Sequence, residues 1–307
     1  MRITICITTF HRPEGLKRLL EGVNKLTFRA ETPVLKIVVV DNDPAGSART
    51  VCEQMSSTLQ WPLDYCVEPR RGIAPARNRA ISRAAPGAEW LAFIDDDEVP
   101  DPRWLDELLL VQRQYDADVV SGPVVASFVE PVPRWIVKGA FFDSPRCQTG
   151  QRRGYAYTNN VLFRSEVLKE LDSPFDERFA LTGGEDAHFF RRVSRAGFKI
   201  VWAADAVVRE WIPETRARFG WLVRRAFRTG NSMATIKLDL HPGWSTRLIQ
   251  AAKGVVWILL GTLRTLCGVV AGRHVLVKGV QWLAYGVGLL LGIAGTRYRE
   301  YKTTHGT

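Results

Sequence analysis

Four acidic side chains follow one another in LAFIDDDEVP, residues 91–100, directly after four mostly apolar residues. Carboxylates this close repel one another and would lose hydration at the end of a buried strand, so a positive group is expected beside them. Mg²⁺ or Mn²⁺ takes one or two carboxylates and fills its other positions with phosphate and water oxygens. Because alternate strand residues share a face, Asp95 and Asp97 would form a D-x-D pair around Asp96. The alternative is an acidic loop that caps the helix after Pro100.

A second acidic pair stands in GGEDAHFF, residues 183–190, where Glu185 and Asp186 follow two glycines at a predicted helix start. A carboxylate within hydrogen-bond reach of a hydroxyl can take its proton, so this pair is a candidate general base. The alternative is that both acids only stabilise the positive end of the helix dipole.

Polar residues also end two predicted strands near the N-terminus. Thr8 lies at the end of the first strand, and Asp41 with Asn42 ends the second, in VVVDND. An acid there could accept hydrogen bonds from a base or a ribose, whereas an Asx turn before Pro44 would use it structurally. In RRGIAPARNRA, Arg77 offers a planar guanidinium that suits a diphosphate, and a solvated basic face is the alternative.

Strands and helices alternate through the first half of the chain and would position these residues. Apolar β-rich runs predict the strands, and apolar residues at helical spacing predict the helices. The predicted strands are 3–10, 34–41, 63–68, 90–95 and 118–126, and the predicted helices begin at Pro13 and cover 46–58, 74–84 and 102–115. This alternation is typical of βαβ units in a mostly parallel sheet, where ligands bind beyond the carboxyl ends of the strands. The polar residues named above stand at those ends.

The second part of the chain is basic. Residues 187–307 carry 19 Lys or Arg against 5 Asp or Glu, within a net charge of +10 for the whole chain. The sequence predicts a strand at 158–164, a glycine loop that runs into a helix at 181–197, and a basic helix at 213–235. Such a charge distribution predicts an anionic partner: a membrane surface, a phosphorylated substrate or nucleic acid.

Two apolar runs, 254–272 and 279–295, dominate the C-terminal tail. Neither is a clean span of ~20 residues. Arg264 stands in the middle of the first run, and an Arg at a bilayer centre costs ~2.5–3.5 kcal/mol, which argues against a simple span. A transmembrane or re-entrant hairpin, interfacial helices and a helical hairpin on a soluble core remain open. Basic residues on both sides of the runs favour an anionic membrane surface.

Several function classes are disfavoured by composition. The five Cys are scattered without CxxC or His/Cys pairing, so we expect no zinc site or disulfide framework, and a reducing compartment. MRITICITTF lacks the apolar core of a signal peptide. The basic and aromatic stretch RARFGWLVRRAF could bind nucleic acid, but the acidic first part and the missing nucleic-acid motifs argue against that partner.

Taken together, these motifs resemble glycosyltransferase family 2, the inverting GT-A sugar-nucleotide transferases, over about residues 1–235. The similarity is strongest to the branch that builds bacterial exopolysaccharide repeat units on a lipid carrier, such as succinoglycan glucosyltransferases. The pieces that carry the resemblance are ITTFHRP (7–13), VVVDN (38–42), GIAPARNRA (72–80), AFIDDDE (92–98) and GGED (183–186).

The resemblance implies a Rossmann-like α/β GT-A fold, a nucleotide-sugar donor, for which a UDP-sugar is favoured, and Mg²⁺ or Mn²⁺. Asp97 is implied as the chief metal ligand and Asp186 as the catalytic base. The implied donor contacts are Thr8, Asp41, Asn42, Arg77, Asp95 and Asp96, the implied metal ligands are Asp97 and Asp95, and the implied catalytic residues are Asp186 and Glu185.

Two departures from the family pattern matter. The motif after the second strand is often Asp-Asp-Gly-Ser but here is Asp-Asn-Asp-Pro at 41–44, which puts the base contact in doubt. The Gln-x-x-Arg-Trp motif of processive members is absent, and only WLVRRAF stands at 221–227. Single-sugar addition is therefore favoured over polymerisation.

These observations predict a catalytic domain at 1–235 and a basic, apolar, helical membrane-associating tail at 236–307. The expected activity is transfer of one sugar from a nucleotide-sugar to a lipid-linked oligosaccharide or other glycan, at the cytoplasmic face of the bacterial inner membrane. A nucleotidyltransferase is the alternative enzyme, although it would need a Gly-rich phosphate loop and ITTFHRPEG has only Gly15. A non-catalytic, membrane-bound sugar-binding scaffold is the other alternative.

Overall fold

The computed structural model of the chain describes residues 1–29, 31–171 and 174–298. Its strands are β1 (Arg2–Thr9), β2 (Val34–Asp41), β3 (Leu63–Val67), β4 (Trp90–Ile94), β5 (Glu98–Pro100), β6 (Val119–Ser121), β7 (Val124–Phe128), β8 (Arg152–Arg153), β9 (Asn160–Arg164), β10 (Ile200–Trp202) and β11 (Val208–Ile212). They form a large sheet in the order β3-β2-β1-β4-β9-β6-β10-β8 and a small sheet in the order β5-β11-β7. β3, β2, β1 and β4 run parallel, whereas β9 is antiparallel to β4 and β6. The predicted mostly parallel α/β sheet is confirmed.

Helices follow most of the strands. They are α1 (Pro13–Val23), α2 (Arg49–Ser56), α3 (Ile73–Ala84), α4 (Trp104–Tyr115), α5 (Arg134–Gly139), α6 (Glu185–Arg195), α7 (Phe219–Leu240), α8 (Trp244–Ala271) and α9 (Arg273–Ile293). Pro13 fits the first position of α1 because the N–H that it lacks has no partner within a helix there. At the C-terminal end of α4, Asp116 takes the left-handed conformation, with φ of 45°, and ends the helix.

The large sheet is covered on both faces. Ile3, Ile5 and Ile7 of β1 point to the face that α1 and α4 cover, while Cys6 points to the face of α3 and α6. Phe189 of α6 is among the large side chains that fill the second face. Each of these buried apolar side chains stabilises the fold by ~1.5–3 kcal/mol, so the strand ends rest on a rigid support.

The predicted strand 118–126 is wrong as a single element, because it is β6 in the large sheet and β7 in the small one. Pro123, which lacks an N–H for a sheet ladder, stands between them. A Cβ on Gly122 would lie 2.2 Å from the carbonyl oxygen of Ala206, so only glycine fits there. The turn between β4 and β5 also passes from the large sheet to the small one, and that turn carries Asp95 to Asp97.

The predicted boundary at residue 235 falls inside α7, which continues to Leu240. The middle of α7 packs closely on α9, since a Cβ on Gly288 would lie 2.1 Å from the carbonyl oxygen of Phe227. α7 therefore joins the two predicted parts, and the division of the chain into domains stays a prediction.

The last two helices form a hairpin that glycines hold together. Gly254, Gly261 and Gly268 lie seven residues apart on the buried side of α8. A Cβ on Gly261 would lie 2.5 Å from the backbone nitrogen of Leu283, and one on Gly268 would lie 2.3 Å from that of Leu276. The backbones of α8 and α9 thus approach each other more closely than any other residue type would permit.

The outer side of α8 is apolar and exposed. Its large exposed apolar side chains are Trp244, Leu248, Ile249, Val255, Val256, Leu259, Leu260, Leu263, Leu266, Val269 and Val270. Arg264 lies on the inner side instead, with its guanidinium 4.4 Å from the ring centroid of Trp282 on α9. Both α8 and α9 are long and apolar enough to cross a membrane, by length and composition alone.

Candidate active site

A cavity of about 530 Å³ opens at the carboxyl ends of β1, β2 and β4, and the start of α6 and one side of α7 form its remaining walls. The predicted site residues on its walls are Thr8, Asn42, Arg77, Asp95, Asp96, Asp97, Glu185 and Asp186. One predicted residue, Asp41, lies behind the wall. The structure therefore brings together motifs that are up to 178 positions apart in the chain.

Asp96 is the buried member of the acidic turn between β4 and β5. Its carboxylate accepts a hydrogen bond from Thr9 Oγ1 at 2.8 Å and pairs with Arg12 Nη1 at 2.9 Å. Burial raises the pKa of Asp96 to about 6, although Arg12 opposes the rise. These contacts hold the acidic turn against the end of β1. Thr9 and Arg12 are therefore structural partners of Asp96.

Asp95 and Asp97 are the more accessible acids of this turn. Oδ2 of Asp97 is shared by two guanidinium groups, from Arg12 Nη1 at 3.0 Å and from Arg216 Nη1 at 2.9 Å. Oδ1 of Asp95 pairs with Arg77 Nη2 at 3.1 Å. Asp95 and Asp97 are thus paired with arginines of the protein itself. These arginines are positive groups of the kind that the run of acidic residues led us to expect.

Negative charge remains in excess around this turn. Glu98 and Glu210 lie beside Asp95 and Asp97, and burial together with repulsion among these acids raises the pKa of Asp95, Glu98 and Glu210. Carboxylates are the protein ligands that Mg²⁺ and Mn²⁺ prefer. The surplus charge and the donor atoms of Asp95 and Asp97 therefore fit a divalent cation on the cavity wall.

Arg77 is buried at the centre of an ion-pair network. Its Nη1 donates to Oε1 of Glu185, and its Nη2 pairs with Asp95. Glu185 is also buried, and its Oε2 has no hydrogen-bond partner in the described part of the chain. Burial raises the pKa of Glu185 to about 7 against the effect of Arg77. Both side chains therefore tie the start of α6 to the acidic turn.

Asp186 is the accessible member of the Glu-Asp pair. α6 begins behind Gly183 and Gly184, whose φ angles of 72° and 96° lie in the left-handed region that favours glycine. Oδ1 of Asp186 accepts the N–H of Ala187 at 2.6 Å. Among the described residues no ion pair involves Asp186, so its carboxylate can accept a proton from a hydroxyl in the cavity.

The polar residues after β2 shape the opposite end of the cavity. The Asn42 amide donates to the carbonyls of Glu68 and Arg70 at 2.8 Å and accepts the N–H of Gly72 at 2.8 Å. These bonds hold the loop before α3 against the cavity, where Thr8 also lies.

Asp41 is fully buried, and its carboxylate accepts from the N–H groups of Asp43 and Ala48 and from the Tyr65 hydroxyl. It organises the turn before α2 as an Asx-type acceptor. Asn42 is therefore the better placed of the two for a nucleoside.

Sequence reasoning missed two arginines that form ion pairs with the acidic turn. Arg12 follows β1 in HRP, and Arg216 precedes α7 in the basic and aromatic stretch RARFGWLVRRAF. Arg216 also pairs with Glu210 at 2.9 Å. Two arginines of that stretch, Arg216 and Arg225, line the cavity. This basic stretch was the available signal, but Asp97, its partner in the acidic turn, lies 119 positions away from Arg216.

Comparison with known families and proteins gives consistent matches. Residues 4–172 match Glycosyl transferase family 2, and residues 90–295 match Glycosyl transferase family group 2. The chain is 32% identical to succinoglycan biosynthesis protein ExoM of Rhizobium meliloti, over 89% of this chain and 87% of that protein. It is 25% identical to glycosyltransferase AglE of Haloferax volcanii, over 85% of this chain and 81% of that protein.

Solved structures share the fold at low sequence identity. The mannosyltransferase PcManGT of Pyrobaculum calidifontis, in complex with GDP-Man and Mn²⁺, aligns with a TM-score of 0.64 and 18% identity over 94% of this chain and 86% of that one. TarS residues 1–349 of S. aureus, in complex with UDP-GlcNAc, align with a TM-score of 0.54 and 15% identity over 97% and 93%. The predicted GT-A fold is confirmed.

Proposed function

The chain belongs to glycosyltransferase family 2, and from this premise we propose an inverting, metal-dependent transfer of a single sugar from a nucleotide-sugar donor. The proposed acceptor is a lipid-linked oligosaccharide or another glycan in polysaccharide biosynthesis. One observation carries the proposal: the acidic turn and Asp186 reach the same cavity from two different walls. The role of ExoM in succinoglycan biosynthesis supports this acceptor class. The UDP-GlcNAc of TarS supports a nucleotide-sugar donor, and a UDP-sugar is the first candidate.

The proposed reaction needs a base on one side of the sugar and charge stabilisation on the other. An acceptor hydroxyl attacks the anomeric carbon, a new C–O bond forms, and the bond to the diphosphate breaks with its electron pair. Asp186 accepts the hydroxyl proton because its carboxylate has no ion pair among the described residues. Attack from the side opposite the leaving group inverts the anomeric centre.

Asp95 and Asp97 would hold a Mg²⁺ or Mn²⁺ ion, which when bound would offset the charge of the departing diphosphate. Arg216 and Arg225 add positive charge on the α7 side of the cavity. Arg77 acts indirectly, because its guanidinium already binds Glu185 and Asp95. It orients the base-bearing helix relative to the acidic turn.

Thermal denaturation with UDP, GDP or dTDP, each with and without Mn²⁺, tests the donor site. A nucleotide at a hundred times its Kd stabilises the protein by ~2.7 kcal/mol. We expect one nucleotide to raise the Tm, and Mn²⁺ to increase that rise. The proposal is wrong if no nucleotide raises the Tm, which would favour the scaffold alternative. A donor screen against membrane extract, followed by linkage analysis, then identifies the sugar and the acceptor.

The nucleotidyltransferase alternative loses its main candidate for a phosphate loop. Gly15 lies within α1, and a Cβ there would come 2.6 Å from the carbonyl oxygen of Asp96. This glycine therefore lets the helix approach the acidic turn. Release of nucleoside diphosphate, as opposed to inorganic diphosphate, separates the two reactions in a product assay.

We further propose that the tail, residues 236–307, holds the enzyme at the cytoplasmic face of an anionic bacterial inner membrane. The exposed apolar side of α8 would lie in the lipid, and the inward position of Arg264 removes the objection to burying that side. Basic residues near the ends of the hairpin, such as Arg247 and Arg273, would add attraction to anionic headgroups of ~1 kcal/mol each.

Flotation of the full chain with phosphatidylglycerol vesicles tests the membrane proposal. Leu259 and Leu263 are 63% and 61% exposed, so Leu259→Glu with Leu263→Glu should abolish flotation without lowering the Tm. Val125→Glu, on an exposed position of β7, is the matched control and should float like wild type. Equal flotation of the double variant, or a wild-type chain that stays unbound at low salt, would refute a membrane role for this surface.

A further inference from the structure

The segment that leads into β9 alternates between the core and the cavity. Ala156, Thr158 and Asn160 are buried, whereas the residues between them are not. Tyr157 and Asn159 both line the cavity. Because Ala156, Thr158 and Asn160 are buried, they hold Tyr157 and Asn159 in place on the cavity wall.

Tyr157 packs against a second tyrosine. The ring of Tyr155 meets that of Tyr157 edge to face, with centroids 5.4 Å apart. The guanidinium carbons of Arg153 and Arg191 lie 4.7 Å and 4.9 Å from the centroid of the Tyr155 ring. Arg153 also donates to the Tyr155 hydroxyl. An aromatic ring with this support is preorganised, although Tyr157 itself keeps 42% of its surface exposed.

Electrostatic effects locate Tyr157 relative to the proposed base. Enclosure by the cavity walls and the negative charge of Asp186 raise the pKa of Tyr157 to about 12. Arg225 is close enough to be influenced by Tyr157 as well. Tyr157 therefore lies near Asp186 at the start of α6 and near Arg225 of α7, and all three side chains line the same cavity.

We propose that Tyr157 is the platform of an acceptor-sugar subsite, where a pyranose ring stacks on the exposed aromatic face with a hydroxyl directed at Asp186. One face of a pyranose presents C–H groups, which carry partial positive charge and complement the negative face of an aromatic ring. Asn159, two positions further along the same side, offers an amide to the sugar hydroxyls. This inference rests on the proposed function, because it assumes that Asp186 serves a sugar hydroxyl.

Saturation-transfer NMR on the full chain tests the subsite with two defined probes, methyl β-cellobioside and methyl β-lactoside. The samples contain the nucleotide that stabilises the protein most, together with Mg²⁺, which is diamagnetic and does not broaden the proton signals. We expect the ring protons of at least one probe to receive saturation in wild type. Tyr157→Ala should weaken the affinity about tenfold, equivalent to ~1.4 kcal/mol. Tyr157→Phe keeps the aromatic face and should stay within about twofold of wild type.

Phe219→Ala is the matched control, because Phe219 is an aromatic residue 40% exposed that does not line the cavity. It should bind both probes like wild type. The subsite is refuted by equal affinity of Tyr157→Ala and wild type, by a wild-type chain that binds neither probe, or by Tyr157→Phe as weak as Tyr157→Ala. Nucleotide-induced Tm shifts in the same samples report separately on the donor site. Their presence with a failed sugar test refutes the subsite alone, whereas their absence refutes the proposed function.

Discussion

Replacing Glu185 by Gln tests how the site carries a buried charge. Burial raises the pKa of Glu185 from 4.5 to about 7 even with Arg77 beside it. A rise of this size corresponds to ~3 kcal/mol of folding free energy. Because the folded-state pKa lies above the unfolded one, this stability is fully present below pH 4.5 and is lost as the pH rises to about 7. The amide of Glu185→Gln has no proton to lose, so the variant should lack this part of the pH dependence.

The measurement is urea unfolding of the full chain in detergent, followed by the fluorescence of its ten Trp from pH 4.5 to pH 8. Over this range wild type should lose ~3 kcal/mol more stability than Glu185→Gln. Glu177→Gln is the control, since Glu177 is an exposed Glu that pairs with Arg70 at 3.0 Å. It should keep the wild-type slope, because an exposed ion pair contributes ~0–1 kcal/mol.

The reciprocal variant sharpens the test. Arg77→Met leaves the buried Glu185 carboxylate without its cation and should destabilise the protein by ~3–5 kcal/mol at pH 8. Adding Glu185→Gln should recover most of that loss. Parallel pH slopes of wild type and Glu185→Gln, or no recovery in the double variant, would refute the reasoning that burial of this charge limits the stability of the site.

Three further outcomes are expected. Asp97→Asn should abolish the Mn²⁺-dependent part of nucleotide binding, measured by calorimetry. Asp101→Asn, a control outside the cavity, should keep it. A normal Mn²⁺ response of Asp97→Asn would contradict the role of Asp97 as a metal ligand. Asp186→Asn should retain donor binding but lower turnover ~10²–10⁴-fold, and turnover within about tenfold of wild type would exclude it as the base. Gly261→Val should lower the Tm by loosening the α8–α9 hairpin, because its Cβ would lie 2.5 Å from the Leu283 nitrogen; an unchanged Tm contradicts that packing.

Local patterns were sufficient for β1 to β4 and β9, and for the polar groups that follow β1, β2 and β4. The run before Asp95 reads as a buried strand, and the acids after it fall in a turn because the chain leaves the sheet there. The two glycines before Glu185 mark a helix start for the same kind of reason, since their backbone conformation is local. Such features depend on neighbours in the sequence, and the sequence therefore predicts them.

Local sequence patterns could not predict which residues pair when they lie far apart in the chain. Nothing near Asp97 indicates that Arg12 and Arg216 share its Oδ2, because these arginines are 85 and 119 positions away. Asp41 looked like a nucleoside ligand, yet the N–H groups of the next turn and Tyr65 occupy its carboxylate. The break at Gly122 was missed for a similar reason, since it depends on the approach of a distant backbone.

α7 lies between the cavity and the α8–α9 hairpin, whose exposed apolar side we propose to bind the membrane. Ser232 and Met233 on one side of the helix line the cavity, and Phe227 on the other side meets Gly288 of α9 backbone to backbone. Packing this close leaves little freedom for α9 to rotate against α7, and α8 is held to α9 by the glycine contacts. If the exposed side of α8 lies on lipid, the orientation of the cavity to that lipid is therefore set by helix packing. A glycan anchored in the same lipid would then approach along the α7 wall, which reaches the start of α6, since a Cβ on Gly184 would lie 3.2 Å from Cβ of Ser232.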